Sequence, residues 1–155
     1  MKEKKYKRIF FVGGDMNFQH AVDHRDAFMK ALKKSSMKLA GVIEGDYSRR
    51  RGFNAAPEII AEKKAGDCVF FSNDRMATGF YRYCYDNRIA IPDEIGVIGS
   101  DDDESALVLS PELSTIRQPR VEMGSAAVNL LIDQLEKKKP ESVVIPNSFI
   151  ARRSI

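Results

Sequence analysis

The chain has 155 residues, 43% of them hydrophobic and 30% charged, and its 25 basic and 22 acidic side chains leave a net charge of +3. That length fits one domain with a core of its own, and the composition is too apolar and too balanced in charge for a disordered chain. No apolar run approaches the roughly 18–20 residues that cross a bilayer, and the charged start, with only Ile9–Val12 as an apolar stretch, lacks the core of a secretory signal, so a cytoplasmic protein without membrane contact is expected.

Arg8–Val12 reads as a short strand buried on both faces, broken by Gly13-Gly14-Asp15. A helix is predicted over Ala21–Lys34, with Phe28, Ala31 and Leu32 at helical spacing and lysines at its C-terminal end. Leu39–Ile43 is a second strand. Ser48 is placed to cap a helix over Arg49–Lys64, in which Pro57 predicts a kink or a later start. Cys68–Phe71 is a third strand, and Asn73 or Asp74 caps a helix reaching Tyr85. Pro92-Asp93 marks a turn before a fourth strand, Ile95–Ile98. The order βαβαβαβ predicts an α/β fold, a doubly wound parallel sheet with flanking helices and right-handed crossovers. Beyond it, Ser114–Ile116 is a short strand and Arg120–Lys137 a helix with one apolar stripe, from Met123 to Leu135. Val143–Ile145 and Phe149–Ala151 read as two further short strands.

Ligands of an open parallel sheet bind beyond the carboxyl ends of its strands. Those ends carry Asp15, Met16, Asn17 and His20, then Asp46 and Tyr47, then Asn73 and Asp74, then Ser100 to Asp103. Such a rim suits polyol recognition, in which amides and carboxylates meet hydroxyls and an aromatic packs on the apolar side of a ring. It could also hold a divalent cation, or a nucleotide at Gly13-Gly14, where the glycine pattern is weak. Each acid has a competing role as a cap, above all Asp102 and Asp103. No catalytic constellation emerges: His20 and His24 have no nucleophile beside them, and Cys68 and Cys84 read as reduced, buried, inert thiols with no metal spacing. No cofactor or metal is expected. The basic clusters Lys2–Arg8, Arg49–Arg51, Lys137–Lys139 and Arg152–Arg153 lie at termini and turns, as solvated charge does.

Several segments taken in order resemble one family. Ser72-Asn73-Asp74-Arg75-Met76-Ala77-Thr78-Gly79 is similar to the NDxMAxG segment of the lactose/galactose repressor (LacI/GalR) family of bacterial transcription regulators. Ile91 to Asp102 resembles its VPxDVSVxGFDD, and Ser110 to Pro119 its xPPLTTVRQP. Met123-Gly124, Ile150 to Ser154, Lys7 to Gly14 and Glu44 to Ser48 also fit, so the likeness spans nearly the whole chain. It implies an effector-binding domain like one lobe of the periplasmic sugar-binding proteins. Residues 1–117 and 140–155 would form the C-terminal lobe, and 118–139 would cross back to an N-terminal lobe. The helix-turn-helix that contacts operator DNA would lie outside this chain, a piece of a longer protein, and half a cleft would bind effector weakly or not at all.

Position by position, the resemblance places Asp101 on the effector, Asn73 as a polar contact, and Tyr47 as an aromatic stacking on the ligand. His24 stands where the family usually carries an effector-binding arginine, with His20 nearby on the rim. Homodimer contacts are expected at Tyr81 and Tyr85 and over Leu107–Ser110, including Leu109. The implied activity is that of a regulator, not an enzyme, in which a sugar-like effector controls operator binding. The sugar-binding lobe of a transport or chemotaxis receptor is the alternative, and a metal-dependent enzyme on the acidic rim a more distant one.

Overall fold

The structure is a computed structural model describing residues 6–139 and 141–155. The first part of the basic cluster Lys2–Arg8, residues 2–5, lies outside it. Six strands form one sheet in the order β2-β1-β3-β4-β5-β6, with β1 Arg8–Val12, β2 Lys38–Ile43, β3 Asp67–Phe71, β4 Gly96–Asp101, β5 Ser114–Arg117 and β6 Ser148–Ile150. All pairings are parallel except that of β5 with β6. The helices are α1 Gln19–Leu32, α2 Arg49–Glu62, α3 Asp74–Asp86, the short α4 Ser105–Val108, and α5 Arg120–Leu135.

Side-chain alternation along the strands separates two cores. Phe10 and Val12 of β1, with Val69 and Phe71 of β3, point to one face and pack with Ile59 of α2 and Met76 and Phe80 of α3. The opposite face carries Phe11 and Phe70, and α1 covers it through Phe28, whose ring stacks 4.7 Å from Phe11 and 5.8 Å from Phe70. Helices on both faces make the doubly wound α/β architecture that the sequence predicts.

Ser48 caps α2 by accepting from the Arg51 amide at 3.1 Å. The helix runs on through Pro57, which lies on its exposed side, where water can serve the carbonyl that proline leaves unpaired. Asn73, not Asp74, caps α3, accepting from the Met76 amide at 2.9 Å. One predicted strand is absent: residues 143–145 pair with nothing among the described residues, and only Ser148–Ile150 joins the sheet. An apolar run of three becomes a strand only where another strand offers its hydrogen bonds. None of the residues of helix α5 is buried.

Candidate functional site

The carboxyl ends of β1, β2, β3 and β4 meet at one edge of the sheet, and the expected rim residues gather there. Asn73 Nδ2 donates to the Tyr47 carbonyl at 3.0 Å, joining the ends of β2 and β3. With Oδ1 engaged as the α3 cap, both ends of this amide already work for the fold. Asn73 therefore positions Tyr47 first and faces the rim second.

Tyr47 has φ 62°. Its ring stacks on His20 at 5.5 Å, and His20 in turn lies 5.7 Å from Phe18. The phenol end presses on Gly14, where any Cβ would overlap it. Its hydroxyl is buried and has no hydrogen-bond partner among the described residues. Burial raises the Tyr47 pKa, and the nearby carboxylates of Asp101 and Asp15 raise it further. The aromatic surface offered to solvent is thus that of the exposed His20 and Phe18, with Tyr47 behind them. The expected stacking platform is already stacked upon.

Asp101 ends β4 in a strained turn, with φ 119° there and 54° at Asp102. Left-handed backbone at non-glycine residues costs of order 1–3 kcal/mol each and persists only where the surroundings enforce it. The enforcement is visible. Asp102 takes Arg152 Nη2 and Arg117 Nε, each at 2.5 Å. Burial would raise its carboxyl pKa, but the two guanidiniums outweigh it and hold the group below the usual carboxylate range. Asp102 is therefore an ion-pair anchor and not the cap the sequence suggests, whereas Asp103 closes the turn before α4, accepting from the Ser105 amide at 2.8 Å.

Asp101 itself accepts from Gln118 Nε2 at 2.7 Å, and its backbone carbonyl accepts from Arg120 at 3.3 Å. Burial raises its pKa; the Arg120 guanidinium opposes this, and Asp103 adds to it. His24 lines a cleft of about 400 Å³ with Ser100, Gln118 and, from α5, Met123, Ala126 and Leu130. Gln118 and Arg120 are contacts that residue-by-residue reading missed. Gln118 lies in the Arg-Gln-Pro stretch that carries the family resemblance, so a signal was present.

The expected dimer residues divide. Tyr85 is 81% exposed and Leu107 57%. Tyr81 is only 6% exposed and belongs to the core, its hydroxyl donating to the Pro111 carbonyl at 3.0 Å, so it offers little to a partner surface. Leu109 is half-buried against the same core. Burial pushes the Cys68 and Cys84 thiols up to about 12. No group of three potential metal-ligating side chains occurs among the described residues. No helix among them is long and apolar enough to cross a membrane.

Fold and rim together define a class: an open doubly wound α/β lobe with a polar ledge at its strand ends, the architecture of a small-molecule binding domain. Residues 1–155 match the periplasmic binding protein-like domain family. The chain belongs to this family. It is 29% identical over 157 residues to the HTH-type transcriptional repressor PurR of Escherichia fergusonii, covering 99% of this chain and 46% of that protein. In structure it is similar to the Lac repressor dimer bound to operator and the anti-inducer ONPF, with TM-score 0.89 and 23% identity over 97% of this chain and 53% of that one. The Escherichia coli transcriptional repressor AscG is similar at TM-score 0.86 and 24% identity, over 97% and 56% of the two chains. The chain spans about half the length of the curated relatives it matches.

Proposed function

We propose that this chain is the effector-sensing part of a LacI/GalR-type transcription regulator, and that its rim takes a small hydroxylated molecule, a sugar or sugar derivative. Asp101 accepts from ligand hydroxyls, His24 and Gln118 line the cleft beside it, and His20 supplies the ring that meets the apolar side of the ligand. Tyr47 and Asn73 support them. The observation that carries this reading is the Asp101 carboxylate, held at the sheet edge by a strained turn and bonded to Gln118, with neighbouring ion-pair partners spent on Asp102 instead.

In the whole regulator, an effector bridging two lobes favours one lobe orientation and thereby shifts operator affinity. Couplings of this kind are usually about 1–3 kcal/mol. A homodimer forms through the surface carrying Tyr85 and Leu107, and DNA is met only through a helix-turn-helix outside these residues. The setting is cytoplasmic.

Amide NMR on this chain tests the site. Titration with D-glucose, D-galactose, D-ribose and N-acetylglucosamine is expected to shift Asp101, Gln118 and His24 in the millimolar range for at least one sugar, with the shift lost in Asp101→Asn. Shifts confined to other surfaces would overturn the sugar reading.

A further inference from the structure

We propose that Asp74 is a positioning residue: a buried joint that aims Asp101 and passes its position to α4. Asp74 opens α3 and is wholly buried. Its Oδ1 accepts from Thr115 Oγ1 of β5 at 2.6 Å, and its Oδ2 accepts from the Asp103 amide at 3.0 Å. Gly99 of β4 makes room for it, since a Cβ there would overlap Oδ1. Among the described residues, no lysine, arginine or histidine forms an ion pair with Asp74. The carboxylate is matched to two neutral donors whose places it fixes.

Those donors bracket the strained turn. The Thr115 hydroxyl that donates to Asp74 also lies 3.4 Å from the Asp102 amide, as its acceptor. Asp103, held through its amide by Asp74, reaches forward with its side chain to the Ser105 amide and hydroxyl, the start of α4. The Ala106 amide donates back to the Asp103 carbonyl at 3.0 Å, and the Ala106 carbonyl accepts from Leu113 at 2.9 Å. Three consecutive residues therefore have three different anchors: Asp101 on Gln118, Asp102 on the two arginines, and Asp103 on Asp74.

A pull on Asp101 is transmitted along two peptide units to Asp103. It reaches α4 only as far as the Asp74 joint holds. Helix α4 presents the exposed apolar side chains Leu107 and Val108. The joint thus lies between the rim and the exposed apolar side chains of α4. That it serves effector response rests on the sugar-binding reading of Asp101; the joint itself does not.

The test compares wild type with Asp74→Asn, Thr115→Val and Thr115→Ser, by amide hydrogen exchange and NMR. Asp74→Asn keeps an oxygen for Thr115 and turns an amino group toward the Asp103 amide. We expect at least tenfold faster exchange at Asp103 and shifted signals at Asp101, Asp102, Leu107 and Val108, with Tyr47 and His20 unmoved. Thr115→Val should reproduce the pattern, and Thr115→Ser, which keeps the hydroxyl, should restore it. The proposal is overturned if a folded Asp74→Asn retains wild-type exchange at Asp103 and unshifted α4 signals. It is equally overturned if Thr115→Val and Thr115→Ser behave alike, a comparison that decides the matter should Asp74→Asn not fold. The four sugars named above, titrated into each variant, separate this failure from failure of the sugar reading: if they shift only surfaces away from Asp101 in wild type, the sugar reading falls while the exchange result still decides the joint.

Discussion

Helices α2 and α3 on one side and α5 on the other are built from similar sequence material and meet opposite fates. In α3, Met76, Ala77, Phe80, Tyr81 and Cys84 are buried, against Ala55, Ala56 and Ile59 of α2. The two helices approach so closely that glycine is needed on both: a Cβ on Gly52 would overlap the Met76 carbonyl oxygen, and one on Gly79 the Arg49 carbonyl oxygen. Helix α5 carries Met123, Val128, Leu131, Ile132 and Leu135 and buries none of them. An apolar stripe states that a helix needs a partner. It does not state that the partner lies in the same chain.

The sharpest way to break this comparison is to add one methyl group where the packing is closed. Gly79→Ala drives its Cβ into backbone, which cannot rotate away as a side chain would. Overpacking usually costs 1–3 kcal/mol, and at a backbone-limited crossing we expect about 3 kcal/mol or more. Urea denaturation followed by circular dichroism checks it. A loss below about 1 kcal/mol would mean that α2 and α3 can slide apart, and that this side is no more closed than the other.

The packed side also holds a charge that α5 has no counterpart for. Burial raises the Asp74 carboxyl to about 6, with bonds from Thr115 and Asp103 opposing the rise and the Asp103 and Asp101 charges adding to it. An unfolded aspartate titrates near 3.9. Between these values the folded chain holds a proton that the unfolded chain releases. The group's contribution is therefore fully present below about pH 4 and is lost as pH rises through about 6. Asp74→Asn does not titrate, so the stability of wild type relative to this variant should grow by on the order of 2 kcal/mol between pH 7 and pH 4.5. Asp102, held below the usual range, is present in both proteins and cancels in the difference. Denaturation curves at the two pH values with no change in that difference would show Asp74 to be solvated.

Most of the sheet was readable because strands buried on both faces admit few residues besides Ile, Val, Phe and Cys, as β1 and β3 show. Tyr81, expected at a homodimer contact, instead shares the helical stripe of Ala77 and Cys84 that the core takes up. Residues 143–145 misled because an apolar triplet carries no information about whether a strand lies beside it. At the rim, the sequence places Asn73, Tyr47 and Asp101 at strand ends but cannot say how much of each side chain the fold has already claimed. Asn73 is spent on Met76 and Tyr47, and Tyr47 on His20 and Gly14. Asp101 to Asp103 look alike as letters, yet each has a different partner from a distant element, and those partners are set by tertiary structure alone.

The smallest effect comes from the same substitution on the other side of the comparison. Gly124 sits inside α5, and a Cβ there would meet nothing within 4 Å. With no neighbour to strike, only backbone entropy and helix propensity remain, and both favour alanine. Gly124→Ala is expected to raise the helix content of this segment and to stabilise the chain by at most about 0.5–1 kcal/mol. Thermal and urea unfolding measured beside Gly79→Ala would then give opposite signs for one added methyl group at two helical glycines. If Gly124→Ala were destabilising by more than about 1 kcal/mol, the face of α5 at that residue would be covered in solution, and the contrast between a closed side and an open one would fail at its simplest point.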